Sequence, residues 1–279
     1  MTTWTEHGLC IGGVEILLRC DRGDLLDRLV APYRGYRSTG RAPDVIHEYR
    51  ARDGWRGEQA AEREYPAFDC RADGPRLYRF SRQDARGQVE LPAAAGAPVA
   101  GRFEGRDAHH VLEATLRLAM CLAVPRLGGL LLHSAAALLG EDDARVFAGP
   151  SGAGKSTLYR LLEASGLRLL GDEITLCRPV AGAWHAFATP FAGECGATPD
   201  GHGRLRGLYF LSKAPAHAVK PISTTSAVPR LLRNALAYVD EREAAARALR
   251  AAGDLIGAVP CHILEFAKDP DVVGVLAVT

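Results

Sequence analysis

Three short stretches hold the residue types that could do chemistry. The first runs Gly149, Pro150, Ser151, Gly152, Ala153, Gly154, Lys155, Ser156, Thr157 and satisfies the pattern GxxxxGK(S/T) in full. An apolar segment, "ARVFA", precedes it, and the helix-like "STLYRLLEASG" follows directly. That context is the one in which the pattern has a mechanism. Glycines let the backbone curl so that successive N–H groups face phosphate oxygens, and the positive end of the following helix points at the same place. Lys155 is then within reach of β- and γ-phosphates, and the Ser156 hydroxyl is a ligand for Mg²⁺. These residues predict a site for a nucleoside triphosphate, but the loop alone leaves open whether the phosphoryl group is transferred.

Two further stretches bear on that question. Seventeen residues after Lys155, "LLGDEI" presents the adjacent acids Asp172 and Glu173 after an apolar run. In a parallel sheet the strand beside the loop would deliver its end to the γ-phosphate. Acids there hold Mg²⁺ or its waters, or take a proton from an attacking hydroxyl; the plain alternative is two solvated acids at a strand end. His133 interrupts the otherwise apolar "GGLLLHSAAALLG", and a lone histidine of this kind is either a satisfied core residue or part of the site. Adjacent His109 and His110, with Glu113 nearby, read as a solvated helix start, because neighbouring side chains diverge by about 100° around a helix.

The elements that must position these groups follow from the hydrophobic pattern. "GGLLLHSAAALLG" has the composition of a strand buried on both faces. "ARVFAGP" is a second strand, "STLYRLLEASG" a helix closed by Gly166, and "LRLLGDEITL" a third strand. Strand-and-loop candidates "HAFATPFAGE" and "LRGLYFLSKA" come next. Two helices are expected between Thr225 and Val259, then a closing strand and short helix in "PCHILEFAKDPDVVGVL". Before them, "DAHHVLEATLRLAMCLAVPRL" has helical spacing and ends near Pro125. Alternating strands and helices predict an α/β domain over residues 105–279. Residues 1–100 read as a smaller, mainly β domain, with a strand pair in "LCIGGVEILLRC" and a hairpin around Asp84–Gly87. Residues 34–66 suggest loop or edge strand, and the Pro/Gly-rich "LPAAAGAPVAGRFEG" suggests a linker.

Composition narrows the function classes. Lys and Arg number 34 against 33 Asp and Glu, a net charge of +1, which predicts neither nucleic acid nor a membrane as partner. No apolar run of about eighteen residues is present to span a bilayer, and the start lacks the pattern of a signal peptide. Seven cysteines without a CxxC pair argue against a disulfide framework or zinc ribbon and fit a reducing cytoplasm.

The ordered set "LLHSAAALLG", "GPSGAGKST", "LRLLGDEI" and "LRGLYFL" resembles the HPr kinase/phosphorylase superfamily, best over residues 128–212. It looks nearest to the HPr-kinase-like proteins found beside genes for ribosomally made, modified peptides. The resemblance implies a P-loop kinase core of HPr-kinase type, using ATP and Mg²⁺. It implies Asp172 as general base, Glu173 as support for metal and phosphate, His133 beside the reacting phosphate, and Arg206 as the arginine of the RGL motif. Where the family has a metal-binding glutamate, this chain has Arg204, and Glu194 is the candidate replacement. HPr itself is a doubtful acceptor, and the reverse phosphorylase reaction is not implied. The expected activity is a serine or threonine kinase acting on a peptide or small protein. An amino-acid kinase and a nucleotide-binding regulatory or assembly module are the alternatives. The family's tendency to assemble also raises a homo-oligomer.

Overall fold

A computed structural model of the chain describes residues 3–55, 68–191, 193–196, 198–237 and 242–277. The chain divides into two compact units, Met1–Arg126 with Ala237–Ala245, and Leu127–Leu236 with Ala246–Thr279. Part of the expected loop at residues 34–66 lies outside the described residues. The architecture is α/β throughout, with one β-sheet system and attached helices in each unit.

In the first unit, β1 (Thr5–Ile11) and β2 (Val14–Cys20) form the expected strand pair. Gly12 and Gly13 turn the corner with φ of 57° and 77°, the left-handed backbone that a two-residue hairpin of matching twist requires. Then come α1 (Gly23–Val30), β3 (Val45–Arg52), β4 (Asp69–Ala72), β5 (Leu77–Arg82), β6 (Ala85–Glu90), β7 (Val99–Arg106) and α2 (His109–Ala123). The sheet order is β1-β2-β3-β7-β6-β5-β4, with β2–β3 and β3–β7 parallel.

Two expectations need correction here. The segment read as linker supplies β7, which lies at the centre of the sheet, between β3 and β6. Its small residues are needed for close packing. A Cβ on Gly101 would stand 2.9 Å from His47 Nδ1 and 3.3 Å from Ala119 Cβ of α2, and one on Gly105 would stand 2.7 Å from the Tyr49 hydroxyl. Helix α2, expected to open the second domain, belongs to the first unit because its apolar face rests on β7, β3 and β6. The division therefore falls after Arg126, not near residues 100–105. His47 is fully buried under α2, with Nε2 3.1 Å from the Thr115 hydroxyl, which itself donates to Leu112 O. Burial lowers its pKa from 6.5 to about 3, so it is a neutral core residue.

The second unit opens with β8 (Leu130–Leu138) and β9 (Asp143–Ala148), followed by α3 (Lys155–Ala164), β10 (Arg168–Gly171) and β11 (Ile174–Val180). Next are β12 (Ala183–Phe187), β13 (His202–Lys213), β14 (Ala218–Pro221), α4 (Thr224–Asn234) and α5 (Arg242–Ala258), which belongs to this unit from Ala246 onward. β15 (Cys261–Phe266) and α6 (Val272–Ala277) close the chain. The sheet is mixed. β8 lies antiparallel to β9 on one edge and to β10 and then β11 on the other. Among the described residues of this sheet, only β9–β13 and β13–β15 are parallel. Because β12 joins β11 to β13, the pairings β8–β9–β13–β12–β11–β8 close into a circuit. Phe147, Leu158, Tyr159, Leu162, Tyr209 and Phe266 form the core that fastens α3 to the strands. Among the described residues no helix is long and apolar enough to cross a membrane. Among the described residues no disulfide joins two cysteines.

Candidate active site

β9 ends at Ala148, and the glycine loop carries the chain into α3 at Lys155. Two positions explain the glycines. Gly154 has φ of 104°, and a Cβ there would meet Phe266 Cζ at 2.8 Å; a Cβ on Gly149 would meet Ala153 Cβ at 2.8 Å. Inside the loop, Ala153 N–H donates to Pro150 O at 3.1 Å. No side chain caps the start of α3, and uncapped N–H groups at a helix start are what an anion site uses. Lys155 is buried, and its Nζ donates to Gly149 O at 2.8 Å and Pro150 O at 3.3 Å. Burial lowers its pKa, and the charge of Glu173 opposes that shift. Lys155 is therefore the cation of the loop, and Glu173 is the carboxylate that acts on it.

Sheet register explains why Glu173 is there. Ser134 of β8 lies opposite Ala148, the last residue before the loop. On the other edge of β8, Ser134 N–H donates to Glu173 O at 3.1 Å, and Ile174 pairs with His133. One short segment of β8 thus faces both the loop and the acid pair. Strand alternation puts His133 on the same face as Ala135 and Ala137, which belong to the core under α3. Its Nε2 lies 3.4 Å from Glu173 Oε2, with both side chains about one-third exposed, at 32% and 38%.

The two acids diverge. Asp172 is 4% exposed, and its Oδ1 and Oδ2 accept the N–H groups of Gly193 at 3.2 Å and Cys195 at 3.0 Å. Its charge acts on Tyr159 and Cys195 rather than on Lys155. Burial raises the Tyr159 phenol and Asp172 raises it further; burial and Asp172 together push the Cys195 thiol up to about 11. The sequence reading placed the acids at the end of a strand beside the loop strand. In the structure β8 and β13 flank β9, and the acids sit beyond β8, within an antiparallel ladder.

Other expected residues fall elsewhere. Arg206 pairs with Asp143 at 2.8 Å, at the entry end of β9. Since β13 runs parallel to β9 with Phe210 level with Ala148, Arg206 lies four residues, about 13 Å, short of the loop. Arg204, level with Asp143, is at that same remote end, so its departure from the expected glutamate does not touch the loop. Glu194 is 73% exposed and pairs with Arg160 of α3 at 3.6 Å. Among the described residues no group of three or more His, Cys, Asp or Glu could hold a metal ion. A hard cation carried on phosphate oxygens and water needs only one or two protein ligands. The Ser156 hydroxyl, in the first turn of α3 beside Lys155, fits that role; Glu173 is engaged by His133 and Glu194 by Arg160. Ser151, Gly152 and Thr157 remain in the loop or first helical turn.

Sequence reasoning missed Gly193 and Cys195, which contribute backbone N–H groups, and Phe266, which lies under Gly154. The only local signal for the first two was the turn composition of "AGECG".

No protein-family model matches the chain, and no curated protein does. Among solved structures it is similar to the Hpr(Ser) kinase/phosphatase from Coxiella burnetii, at 10% identity and a TM-score of 0.31. The alignment covers 53% of this chain and 86% of that one. Likeness at that level carries no inference about chemistry.

Proposed function

We propose that the chain is a phosphotransferase that moves the γ-phosphoryl group of ATP to a serine or threonine hydroxyl on a peptide or small protein. One observation carries this reading: Glu173, at the turn between β10 and β11, stands beside His133 of β8, the strand next to the one that runs into the glycine loop, and its charge acts on Lys155. A carboxylate there can take the proton of an attacking hydroxyl as well as hold Mg²⁺ or its waters. The loop N–H groups and Lys155 bind the phosphates, and α3 directs its positive end at them. Ser156 would hold Mg²⁺, which would supply charge neutralisation. An acid of the Asp172–Glu173 pair takes the proton of the acceptor. Phosphoryl transfer asks for little else, since in-line placement and neutralised charge account for most of the effect. A peptide acceptor is favoured by the sequence resemblance to kinases that accompany modified-peptide genes.

The test is incubation with γ-labelled ATP and three acceptor classes: Ser/Thr peptides, small proteins and free amino acids. Label on a peptide or protein supports the reading, and label on free amino acids alone would replace it with a small-molecule kinase. A second reading, a nucleotide-binding regulatory module, is favoured by Arg206 lying away from the loop. It predicts binding without labelled product.

A further inference from the structure

Which acid takes the proton is decided by what each already touches. Both Asp172 carboxylate oxygens receive backbone N–H groups in a buried setting. Two acceptor sites remain on such a carboxylate in principle, but the residue is only 4% exposed. The partner backbone is fitted to the acid: a Cβ on Gly193 would stand 2.6 Å from Asp172 Oδ1. The turn so gripped carries Glu194, paired with Arg160 of α3, and Cys195, packed against the core beneath the helix. Asp172 therefore ties the Gly193–Gly196 turn to the α3 side of the unit. Glu173 is placed differently. Its side chain is 38% exposed, its Oε2 lies 3.4 Å from His133 Nε2, and its field acts on Lys155.

We propose that Glu173, oriented by His133, is the catalytic carboxylate, and that Asp172 is a positioning residue that holds the Gly193–Gly196 turn. The inference rests on the transferase reading above. In the step, the acceptor O–H proton passes to Glu173 and the acceptor oxygen forms a bond to the terminal phosphorus. The bond from that phosphorus to the leaving diphosphate oxygen breaks, and its electron pair stays on the diphosphate. His133, with its proton on Nε2, donates to Glu173 and fixes the direction of the receiving lone pair.

The experiment compares full-length wild type, E173Q, D172N and G193A, each checked for native fold by thermal melting. E173Q should lower kcat about 10²–10⁴-fold, the usual contribution of a general base, with nucleotide affinity and Mg²⁺ half-saturation within about twofold of wild type. D172N and G193A should resemble each other, with KM for the acceptor raised and kcat reduced less than tenfold. Their double variant should be no worse than the poorer single, as expected of residues acting as one unit. G193A keeps the carboxylate and disturbs only its grip, so it carries the test if D172N fails to fold. A folded D172N that loses as much kcat as E173Q, or a silent G193A beside an inactive D172N, overturns the assignment. So does an E173Q whose main defect is a tenfold rise in Mg²⁺ half-saturation. If wild type labels no acceptor, ATP hydrolysis by the same panel replaces labelling, with water as proton donor. A wild type that neither labels nor hydrolyses overturns the transferase reading and this inference together.

Discussion

His133 Nε2 and Glu173 Oε2 are 3.4 Å apart across adjacent antiparallel strands, beside the strand that runs into the glycine loop. Neither residue is a sequence neighbour of the other. Their meeting is a consequence of register, since Ile174 pairs with His133 while Ser134 pairs with Ala148.

Removing the histidine should therefore cost turnover and spare binding. His133→Gln retains a hydrogen-bonding amide but cannot share a proton with Glu173. A fall in kcat of about 10- to 100-fold is expected, at or below the low end of the about 10²–10⁴-fold that a direct acid or base contributes. Single-turnover labelling together with calorimetric nucleotide affinity separates the two; weakened nucleotide binding with unchanged turnover would remove His133 from the chemistry.

Lys155 answers a different question. Its ammonium donates to two loop carbonyls and would have to serve the phosphates. Lys155→Ala should reduce nucleotide affinity at least about tenfold, the loss of one charge-assisted contact worth about 1.5–3 kcal/mol. Isothermal titration with a non-hydrolysable analogue checks it, and full retention of affinity would mean that this loop is not the nucleotide site.

At Gly154 the constraint is steric and conformational at once, with φ of 104° and Phe266 Cζ 2.8 Å from an added Cβ. Gly154→Ala should destabilise the protein by about 1–3 kcal/mol, the cost of a strained backbone position. Adding Phe266→Leu to that variant should recover part of the loss, because it relieves the clash but not the dihedral strain. Urea denaturation of the two variants gives the comparison; no recovery would place the whole cost in the backbone.

Arg206 should be nearly silent. It forms an ion pair with Asp143 that is about half exposed on both sides, and such pairs contribute about 0–1 kcal/mol. Arg206→Ala is expected to change kcat less than about twofold, a range consistent with its about 13 Å separation from the loop. A large loss of labelling with intact stability would bring this arginine back to the site.

Acid should weaken the first unit through His47. Its folded pKa, about 3, lies below the ordinary 6.5, so the unfolded chain takes the proton first as pH falls. Above 6.5 neither state gains a proton there and no penalty exists. Between 6.5 and 3 stability should fall by up to about 1.4 kcal/mol per pH unit from this residue. Melting curves at pH 7.5 and 5 for wild type and His47→Leu test it; an equal acid loss in both would exclude His47 as the cause.

Much of the candidate site was legible in the chain as written. The glycine loop, its preceding strand and its following helix are contiguous, and their conformation is set by neighbours within a few residues: positive-φ glycines, an uncapped helix start, a buried lysine. The hairpin at Gly12–Gly13 was legible for the same reason. Tertiary structure decided the rest. Two adjacent acids have nearly the same local surroundings, and what separates them is remote: the N–H groups of Gly193 and Cys195 hold Asp172, while β8 presents His133 to Glu173. Small residues in β7 read as linker because the bodies that fill their space, His47, Tyr49 and α2, come from elsewhere in the chain. Parallel or antiparallel pairing likewise depends on which strands meet, so the position of Arg206 along β9 could be read only once β13 had a neighbour and a register. Local dihedral preference is written in consecutive residues; burial, register and the direction of a charge are properties of the partners that folding brings up to them.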